Sequence, residues 1–379
     1  MIIERLHRER PRPACGVERL TKLGRHAVHA YHNVTPWSQD EQRFVYVDVT
    51  ADGAGRVVIH DFRDGSSRII CDHACYNFHT GAEVRWLRGD QAVFCSAYTD
   101  ASRTTARSAI IDLASGELQF PEALRDLDIR QTYERGRIAT FEVKRTTERV
   151  AAVAVVDLTD YTRDTVFDAH AVSAALPAAQ PLAAADMEFS HPLLSPDQRL
   201  LYVKVMRLEA GAERYHSSVV YDRQTDRFHW HDATISGHPI WHSRDSVIYN
   251  ILQTRDGSDY RYIVAIDPCS GDYERFIDTP IPGPSHLDIS PDGRWLILDG
   301  FTMDQTTSPL YRIDLETRSC RELLRLRHRH ELADYYSFWR GQPHPAYSPS
   351  ATRFAVNCNG GGDEMDILLI TPPVAEGEE

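Results

Sequence analysis

The segment YYSFWRGQPHPAYSPSATRFA, residues 335–355, carries the sequence pattern that decides the fold. It places a histidine before a short apolar run, which is followed by Ser-Pro, a turn and the start of a strand. The same order recurs in Ser190-His-Pro-Leu-Leu-Ser-Pro-Asp, Gly237-His-Pro-Ile-Trp-His and Ser285-His-Leu-Asp-Ile-Ser-Pro-Asp-Gly, and more weakly in His32-Asn-Val-Thr-Pro-Trp-Ser. Self-similarity at a period of about 40 to 50 residues is typical of proteins built from repeated units.

The segments between these copies predict the fold class. Short runs rich in Val, Ile, Tyr and Phe alternate with turns rich in Asp, Gly and Ser, which is typical of strands. Four such runs per repeat predict an all-β fold, a seven-bladed β-propeller with four-stranded antiparallel blades. We assign the blades to residues 36–70, 82–120, 129–167, 191–231, 238–277, 286–326 and 344–371. The last blade is one strand short, so we expect a strand from the N-terminal segment 1–34 to close the ring.

The domain organisation follows from this repeat. We expect a single propeller domain over residues 1–371, because the repeat runs through the whole chain. Residues 170–186 are rich in alanine and broken by proline, which indicates an insertion between the third and fourth blades. The segment 372–379 is expected to be a disordered tail.

Composition excludes several classes of protein. The net charge is −13, from 55 acidic and 42 basic residues, which argues against broad nucleic-acid binding. No apolar run approaches the roughly 20 residues that span a bilayer, so we expect no membrane association. The first twenty residues carry charges throughout, unlike a signal peptide, and an odd number of cysteines, seven, favours a reducing compartment. These features predict a cytoplasmic protein.

The recurring histidine is the candidate functional feature. His191, His238, His286 and His344 stand at the same point of four successive copies, at intervals of 47, 48 and 58 residues. Any one of them could be a hydrogen-bonded turn residue, but turn chemistry does not require imidazole four times in register. The inner strand of each blade lines the central channel of a propeller, so the pattern predicts a ring of imidazoles. Convergent neutral imidazoles are suited to binding a divalent metal.

These features resemble the oligogalacturonate lyases, which are cytoplasmic seven-bladed propellers acting on pectin fragments. In that family three histidines and one glutamine hold Mn²⁺, with one histidine from the sixth blade and the other ligands from a Gln-x-x-His-Pro-His-Pro stretch that opens the seventh. A histidine opening the fifth blade is the family's base, and an arginine of the fourth blade lies beside it. The resemblance implies that His286 and His344 bind the metal, that His238 is the catalytic base and that Arg214 acts next to it.

The seventh blade departs from the family's pattern at two positions. Gln342-Pro-His344-Pro stands where the family has His-Pro-His-Pro, and Trp339 occupies the position of the family's glutamine. The resemblance therefore implies a divalent metal, Mn²⁺ on the family's precedent, held by His286, Gln342, His344 and a fourth group.

A second resemblance concerns the substrate. The segment Tyr76-Asn-Phe-His79-Thr-Gly-Ala-Glu-Val-Arg-Trp is similar to an Asn-aromatic-Gln-Gln-Gly segment of propeller lyases that cleave ulvan or rhamnosyl-glucuronate links. His191 and the spacing Arg340-x-x-x-His344 also resemble these enzymes. This resemblance implies that His79, His191 and Arg340 contact the substrate.

Both families imply one reaction, β-elimination at a uronate, in which a base removes the C5 proton and the C4–O bond breaks. That proton becomes acidic enough only when a metal or an arginine neutralises the adjacent carboxylate. Imidazole titrates near neutrality, which suits the base. We therefore expect a lyase for anionic uronate oligosaccharides. The alternative is a non-catalytic propeller that binds a ligand or protein partner, with the histidines as vestiges, and the altered metal motif favours it. As single residues, Arg214 and Arg340 could each be surface ion-pair partners.

Overall fold

The computed structural model describes most of the chain. The described residues are 15–77, 81–87, 89–100, 103, 105–125, 127–135, 138–144, 146–210, 212–231, 235, 237–243, 247–253, 260–277, 281–282, 286–300, 307–327, 342–358 and 364–373. The chain divides into two compact units. Unit 1 comprises residues 1–106, 110–118 and 279–379, and unit 2 comprises residues 107–109 and 119–278.

The N-terminal part of unit 1 begins with a short strand that belongs to the seventh blade and continues with two four-stranded blades. Its strands, in chain order, are β1 (Gly16–Arg19), β2 (His26–Val28), β3 (Arg43–Val49), β4 (Gly55–Asp61), β5 (Ser66–Ala74), β6 (Tyr76–Asn77), β7 (Gly81–Ala82), β8 (Val84–Leu87), β9 (Ala92–Tyr98), β10 (Ala106–Asp112) and β11 (Leu118–Gln119). Strands β2–β5 form the first blade and β8–β11 the second, while β6 and β7 pair with each other. The boundary between the units runs through β10 and β11.

Unit 2 contains the next three blades. After a 3₁₀ helix (Glu122–Leu124), the third blade consists of β12 (Leu127–Arg135), β13 (Ile138–Val143), β14 (Ala152–Asp157) and β15 (Arg163–Asp168). Helix α1 (Ala169–Ala175) and a second 3₁₀ helix (Ala184–Asp186) precede the fourth blade, β16 (Met187–Leu194), β17 (Leu200–Glu209), β18 (Ala212–Asp222) and β19 (Arg227–His231). The fifth blade consists of β20 (Ile240–Trp241), β21 (Ile248–Gln253), β22 (Tyr260–Ile266) and β23 (Tyr273–Arg275).

The C-terminal part of unit 1 holds the last two blades. After β24 (Ile281–Pro282), the sixth blade consists of β25 (Leu287–Ile289), β26 (Trp295–Asp299), β27 (Thr307–Asp314) and β28 (Cys320–Arg327). The seventh combines β29 (Ala346–Tyr347), β30 (Phe354–Cys358) and β31 (Asp366–Thr371) with β1. The described residues thus form seven four-stranded antiparallel blades, and the predicted fold class is confirmed.

The N-terminal strand completes the seventh blade as expected. Strand β1 pairs antiparallel with β31 from Gly16 opposite Thr371 to Arg19 opposite Leu368. An ion pair between Arg19 and Asp366, at 2.8 Å, fastens the end of this ladder. The pairing covers what would otherwise be an open strand edge. The same N-terminal segment also supplies β2, the first strand of the first blade.

Apolar side chains on both faces of the strands form the cores. The first six residues of β17 are all buried, so this strand reads as a continuous apolar run rather than an alternating one. Buried tryptophans tie neighbouring blades together: Trp241 Nε1 donates to Leu193 O at 2.9 Å in unit 2, and Trp37 Nε1 donates to Ala346 O at 3.2 Å in unit 1. Burial with a satisfied indole N–H is the favourable arrangement for this side chain.

The Ser-Pro segments close hairpin turns, as their composition predicts. Ser195 Oγ accepts the backbone N–H of Leu200 at 2.9 Å, and Ser290 Oγ accepts that of Trp295 at 2.8 Å. These side chains satisfy the first donor of the second strand in each blade. The turn therefore sets the strand register, which matters for the site below.

Other sequence features lie outside the blades. Within the predicted insertion 170–186, α1 is capped by Asp168, whose side chain accepts from Ala171 N. All seven cysteines are free thiols. No helix in the described part of the chain combines the length and apolar character needed to cross a membrane. The expected single-domain organisation stays a prediction, and residues 374–379 of the expected tail lie outside the described residues.

Candidate functional site

Two of the recurrent histidines sit in irregular, left-handed backbone. In β16 the register shifts between Ser190 and Leu193, so that His191 lies in a bulge with φ of +57°. His344 lies just before β29 with φ of +47°. A side chain other than glycine in this region costs about 1–2 kcal/mol, and such strain concentrates at functional sites. His191 and His344 thus share a left-handed backbone conformation with ten other non-glycine residues in the described part of the chain.

In unit 1, one carboxylate organises two of these histidines. Asp299 Oδ1 accepts the backbone N–H of His286 at 2.7 Å, and Asp299 Oδ2 lies 3.0 Å from His286 Nδ1. Asp299 Oδ2 also accepts the backbone N–H of His344 at 3.2 Å, and all three residues are buried. A carboxylate facing Nδ1 places the ring proton there, which leaves Nε2 with its lone pair.

A third imidazole completes what we call the unit 1 histidine cluster, His32, His286 and His344. The ring centroid of His286 lies 4.1 Å from that of His344 and 5.2 Å from that of His32. His32 is buried, and its Nδ1 lies 3.3 Å from Leu287 O. Tyr31 packs on the cluster, 4.7 Å from the ring of His344. The sequence pattern brought His286 and His344 together correctly but did not assign His32 to the site.

The other predicted ligand, Gln342, has a buried amide oxygen, Oε1. It lies two residues before His344 and is 1% exposed. Its Oε1 has no hydrogen-bond partner among the residues that the structure describes. A buried acceptor without a partner costs about 1–3 kcal/mol unless something binds it. Three imidazoles and an amide oxygen are donors suited to a divalent first-row metal, so these residues fit such an ion.

Unit 2 contains a second histidine site, formed by His191 and His238, which we call the unit 2 histidine pair. Their ring centroids are 5.4 Å apart. His191 is buried, its backbone N–H donates to Glu142 Oε1 at 3.0 Å, and its Nδ1 lies 2.7 Å from Ser190 Oγ. Glu142 is held in turn by Lys144, 3.1 Å away. These contacts fix both the backbone and the ring of His191.

The segment just before His238 packs closely against β21. A Cβ at Gly237 would lie 2.3 Å from Ile251 Cβ, so only glycine permits this approach. Ile235 pairs with Leu252 in an isolated bridge. His238 itself is half-buried, which leaves its ring accessible in part. A half-buried imidazole on a rigid loop is a suitable position for a general base.

The remaining predicted residues have different outcomes. Arg214 lies on β18, is exposed, and stands opposite Arg207 in the register of β17 and β18. His79 and Arg340 lie outside the described residues. The roles assigned to all of these residues from the resemblance stay predictions.

Three residues that shape the site were not found from the sequence. Glu142, Lys204 and Asp299 are buried within strands, and the first and last of them hold histidines of the following blade. The available signal was a charged residue inside an otherwise apolar strand, as in Leu-Leu-Tyr-Val-Lys204-Val. A charged group in such a place is rarely tolerated without a function or a partner.

Solved structures with this fold include two oligogalacturonate lyases. An oligogalacturonate lyase in complex with manganese is 14% identical, with a TM-score of 0.67 over 95% of this chain and 93% of that chain. The oligogalacturonate lyase of Vibrio parahaemolyticus is 13% identical, with a TM-score of 0.65 over 96% and 98% of the two chains. The Dos1 propeller is 10% identical, with a TM-score of 0.50 over 91% and 95%.

These similarities show the fold that the chain shares with oligogalacturonate lyases, a β-propeller. No protein-family model matches the chain, and no curated protein is similar to it.

Proposed function

We propose that the protein is a lyase that cleaves uronic-acid oligosaccharides by β-elimination. The observation that carries the proposal is the unit 1 histidine cluster, in which Asp299 orients His286 beside His344 while the amide oxygen of Gln342 is buried without a partner among the described residues. Such a set of donors is suited to a divalent cation. The shared fold with oligogalacturonate lyases supports the same reaction class.

The cation has one role in this proposal. When bound by His286, Gln342 and His344, it supplies positive charge that neutralises a uronate carboxylate and makes the neighbouring C–H bond more acidic. The same demand for positive charge is met in part by Arg214, whose exposed guanidinium can pair with a carboxylate through two parallel hydrogen bonds.

His238 is the base in this mechanism. Its imidazole accepts the C5 proton, the electrons of the C–H bond form the C4=C5 double bond, and the C4–O bond breaks. The leaving oxygen takes a proton from the surrounding water. His191, whose Nδ1 is fixed by Ser190, offers its other ring nitrogen to a substrate hydroxyl. His79 and Arg340 remain proposed substrate contacts.

The test of the reaction is an ultraviolet assay for the conjugated double bond, with galacturonate and glucuronate oligomers as substrates. We expect activity in the unaltered protein and a loss of about 100-fold or more in His238→Ala, since general-base catalysis contributes about 10²- to 10⁴-fold. His242→Ala is the matched control, because this histidine lies four residues further on, beside Tyr249. No turnover of any uronate, together with binding of these sugars, would instead establish a non-catalytic propeller.

The test of the metal site is elemental analysis of protein purified without chelator. We expect a near-stoichiometric divalent ion, Mn²⁺ on the precedent of the manganese complex, and its loss in His344→Ala. Full occupancy in that variant would contradict the assignment of the site to the unit 1 histidine cluster.

A further inference from the structure

One position of the blade has a recurrent structural role. In three blades a residue of the second strand accepts a hydrogen bond from a backbone N–H of the next blade. The pairs are Asp299 Oδ2 with His344 N–H at 3.2 Å, Asn357 Oδ1 with His29 N–H at 2.8 Å, and Glu142 Oε1 with His191 N–H at 3.0 Å. All three acceptors are buried. The position therefore controls the loops that carry histidines.

Lys204 occupies this position in the fourth blade. It follows the turn residue Ser195 by nine residues, as Asp299 follows Ser290. An ammonium group has three donors and no acceptor, so it cannot hold a backbone N–H as the other three side chains do. The structural role is lost here, which leaves the buried cation to be explained in another way.

On one side, Lys204 adjoins His191. Its partner in the register of β16 and β17 is Ser190, and cross-strand partners present their side chains on the same face. Ser190 Oγ lies 2.7 Å from His191 Nδ1. The side chain of Lys204 therefore lies on the same face of the sheet as Ser190, whose hydroxyl contacts the ring of His191.

On the neighbouring strand β18, hydroxyl groups connect the cross-strand partner of Lys204 to the segment before His238. Ser218, the partner of Lys204 on β18, has its Oγ 2.6 Å from Tyr202 OH and 2.8 Å from Tyr215 OH. Tyr215 OH donates to Ile235 O at 2.9 Å. The loop from Ile235 continues to His238. Lys204 thus lies between two buried serines, Ser190, which contacts His191, and Ser218, which is linked through Tyr215 to Ile235 in the segment before His238.

Lysine is rare in this protein, and Lys204 differs from the others. Of the 42 basic residues only Lys22, Lys144 and Lys204 are lysines. Lys22 pairs with Asp366 at 3.0 Å, and Lys144 pairs with Glu142 at 3.1 Å. Lys204 is 6% exposed and forms no ion pair with any residue in the described part of the chain. It is a buried cation without a counter-ion.

The surroundings of Lys204 do not compensate its charge. Burial lowers its pKa from 10.5 to about 7, and no neighbouring carboxylate offsets this. Among the described side chains, the titratable and charged groups on the elements packed against it are Asp186, Glu188 and His191, and on β18 Arg214, Tyr215, His216, Tyr221 and Asp222. Its own strand carries Tyr202, Arg207 and Glu209, and His231 and His238 lie beyond. A group poised between its two protonation states near pH 7 responds strongly to any new charge.

We propose that Lys204 is the counter-ion for the carboxylate of a uronic-acid substrate, and that it takes up a proton as this carboxylate binds. The inference rests on the function proposed above and adds a residue of unit 2 that pairs with the negative charge of the substrate. A bound carboxylate supplies the counter-ion that Lys204 lacks among the described residues. It also stabilises the ammonium form, so substrate affinity is highest below about pH 7 and falls up to tenfold per pH unit above it.

The direct test is an NMR titration of the three lysine side chains, labelled with ¹³C at Cε and assigned with Lys22→Arg, Lys144→Arg and Lys204→Arg. The ligands are D-galacturonate and D-glucuronate, which contain no glycosidic bond to cleave, and D-galactose serves as the neutral control. We expect a midpoint near 7 for Lys204 that rises by about one pH unit or more with either uronate but not with galactose. The midpoints of Lys22 and Lys144 should stay in place.

The kinetic test compares Lys204→Met and Lys204→Arg in the double-bond assay. Lys204→Met should lower kcat/KM by about 10- to 100-fold, the usual contribution of a hydrogen bond to a charged group. Lys204→Arg should retain more activity than Lys204→Met. Its substrate affinity should no longer fall above pH 7, because guanidinium stays charged. Lys22→Met is the control, because Lys22 pairs with Asp366 and holds none of the proposed site residues.

The outcomes separate this inference from the proposed function. Cleavage of uronates with a Lys204 midpoint that no uronate moves would overturn the inference and leave the lyase intact. A uronate-dependent midpoint without any cleavage would support the inference and overturn the lyase. A free midpoint above 10 would overturn the inference whatever the activity.

Discussion

The unit 1 histidine cluster and the unit 2 histidine pair are built on the same element of the blade but with opposite charge. Asp299 in the sixth blade and Lys204 in the fourth stand at the same distance from their turn serines. Asp299 accepts from two histidine backbones and faces one imidazole. Lys204 lies on the same sheet face as Ser190, which binds the ring of His191. One strand position therefore carries a carboxylate beside the unit 1 histidine cluster and an ammonium group on the sheet face of the unit 2 histidine pair.

The difference follows from simple electrostatics. A buried carboxylate favours positive charge nearby and places the ring proton of His286 on Nδ1, which leaves a nitrogen lone pair for a metal. A buried ammonium disfavours a metal ion and attracts a carboxylate. In three blades a side chain at this position accepts a backbone N–H of the next blade, whereas the fourth blade keeps its four strands with a lysine there. The predictions below test this contrast in order of decreasing effect.

The largest effect is expected for the stability of Lys204→Met. The pKa of Lys204 is lowered in the folded protein to about 7, so between pH 7 and 10.5 the unfolded chain binds more protons and stability rises with pH. Below pH 7 the full cost of burying the charge is present, about 5 kcal/mol for a shift of this size. The variant lacks this cost. We expect it to be more stable by up to about 5 kcal/mol at pH 6, with the advantage shrinking by about 1.4 kcal/mol per pH unit above pH 7.

Urea unfolding at pH 6, 7.5 and 9 measures this difference. Lys22→Met is the control, because Lys22 has carboxylate partners in Glu364 and Asp366, so its removal should not raise stability. A Lys204→Met variant that is less stable at all three pH values would show that the ammonium group has a partner and would break the contrast with Asp299.

The opposite sign is expected for Asp299→Ala. This change removes the acceptor of two backbone N–H groups and of His286 Nδ1, all of them buried, at a cost of about 3 kcal/mol. It also frees the ring of His286 to rotate, and loss of such a supporting carboxylate lowers metal affinity about 10- to 100-fold. Unfolding in urea and titration with Mn²⁺ measure the two effects. Asp314→Asn, on the next strand of the same sheet, should leave metal affinity unchanged.

Gln342→Leu should separate metal binding from stability. The buried Oε1 lacks a hydrogen-bond partner in the described residues, so replacing the amide with an apolar side chain of similar volume should leave the metal-free protein equally stable or more stable by about 1 kcal/mol. Metal affinity should fall by about tenfold, in line with the loss of one ligand. Thermal unfolding with and without Mn²⁺ tests both statements. Loss of stability without metal would mean that the amide serves the fold and not an ion.

Much of this arrangement could be predicted from the sequence because it depends on local patterns. The Ser-Pro turns place hydroxyl caps at fixed points, and the apolar runs between them specify strands, so the seven blades and the closing strand followed directly. The register of the repeat also brought His286 together with His344, and His191 with His238. These groupings require only that equivalent positions of successive blades meet.

The remaining features depend on contacts that no local pattern reveals. Asp299 reaches His344 across 45 residues, from the end of a strand whose other residues are apolar. His32 follows its strand, His26–Val28, through a loop, so its copy of the repeat is weak although its ring lies 5.2 Å from that of His286. The role proposed for Lys204 depends on its burial and on the opposite charge of Asp299, the residue at the same position of the sixth blade.

The smallest effect concerns the feature that both sites share, the left-handed backbone at His191 and His344. Both His191→Gly and His191→Ala remove the imidazole, so their effects on activity should be equal. Alanine keeps the strain of φ +57°, whereas glycine adopts this conformation freely, so His191→Gly should be the more stable of the two by about 1 kcal/mol. Urea unfolding of the two variants measures the difference, with the same pair at His344 as the comparison. If alanine were the more stable residue at both positions, the left-handed backbone at His191 and His344 would not be strained, while the contrast between Asp299 and Lys204 would remain.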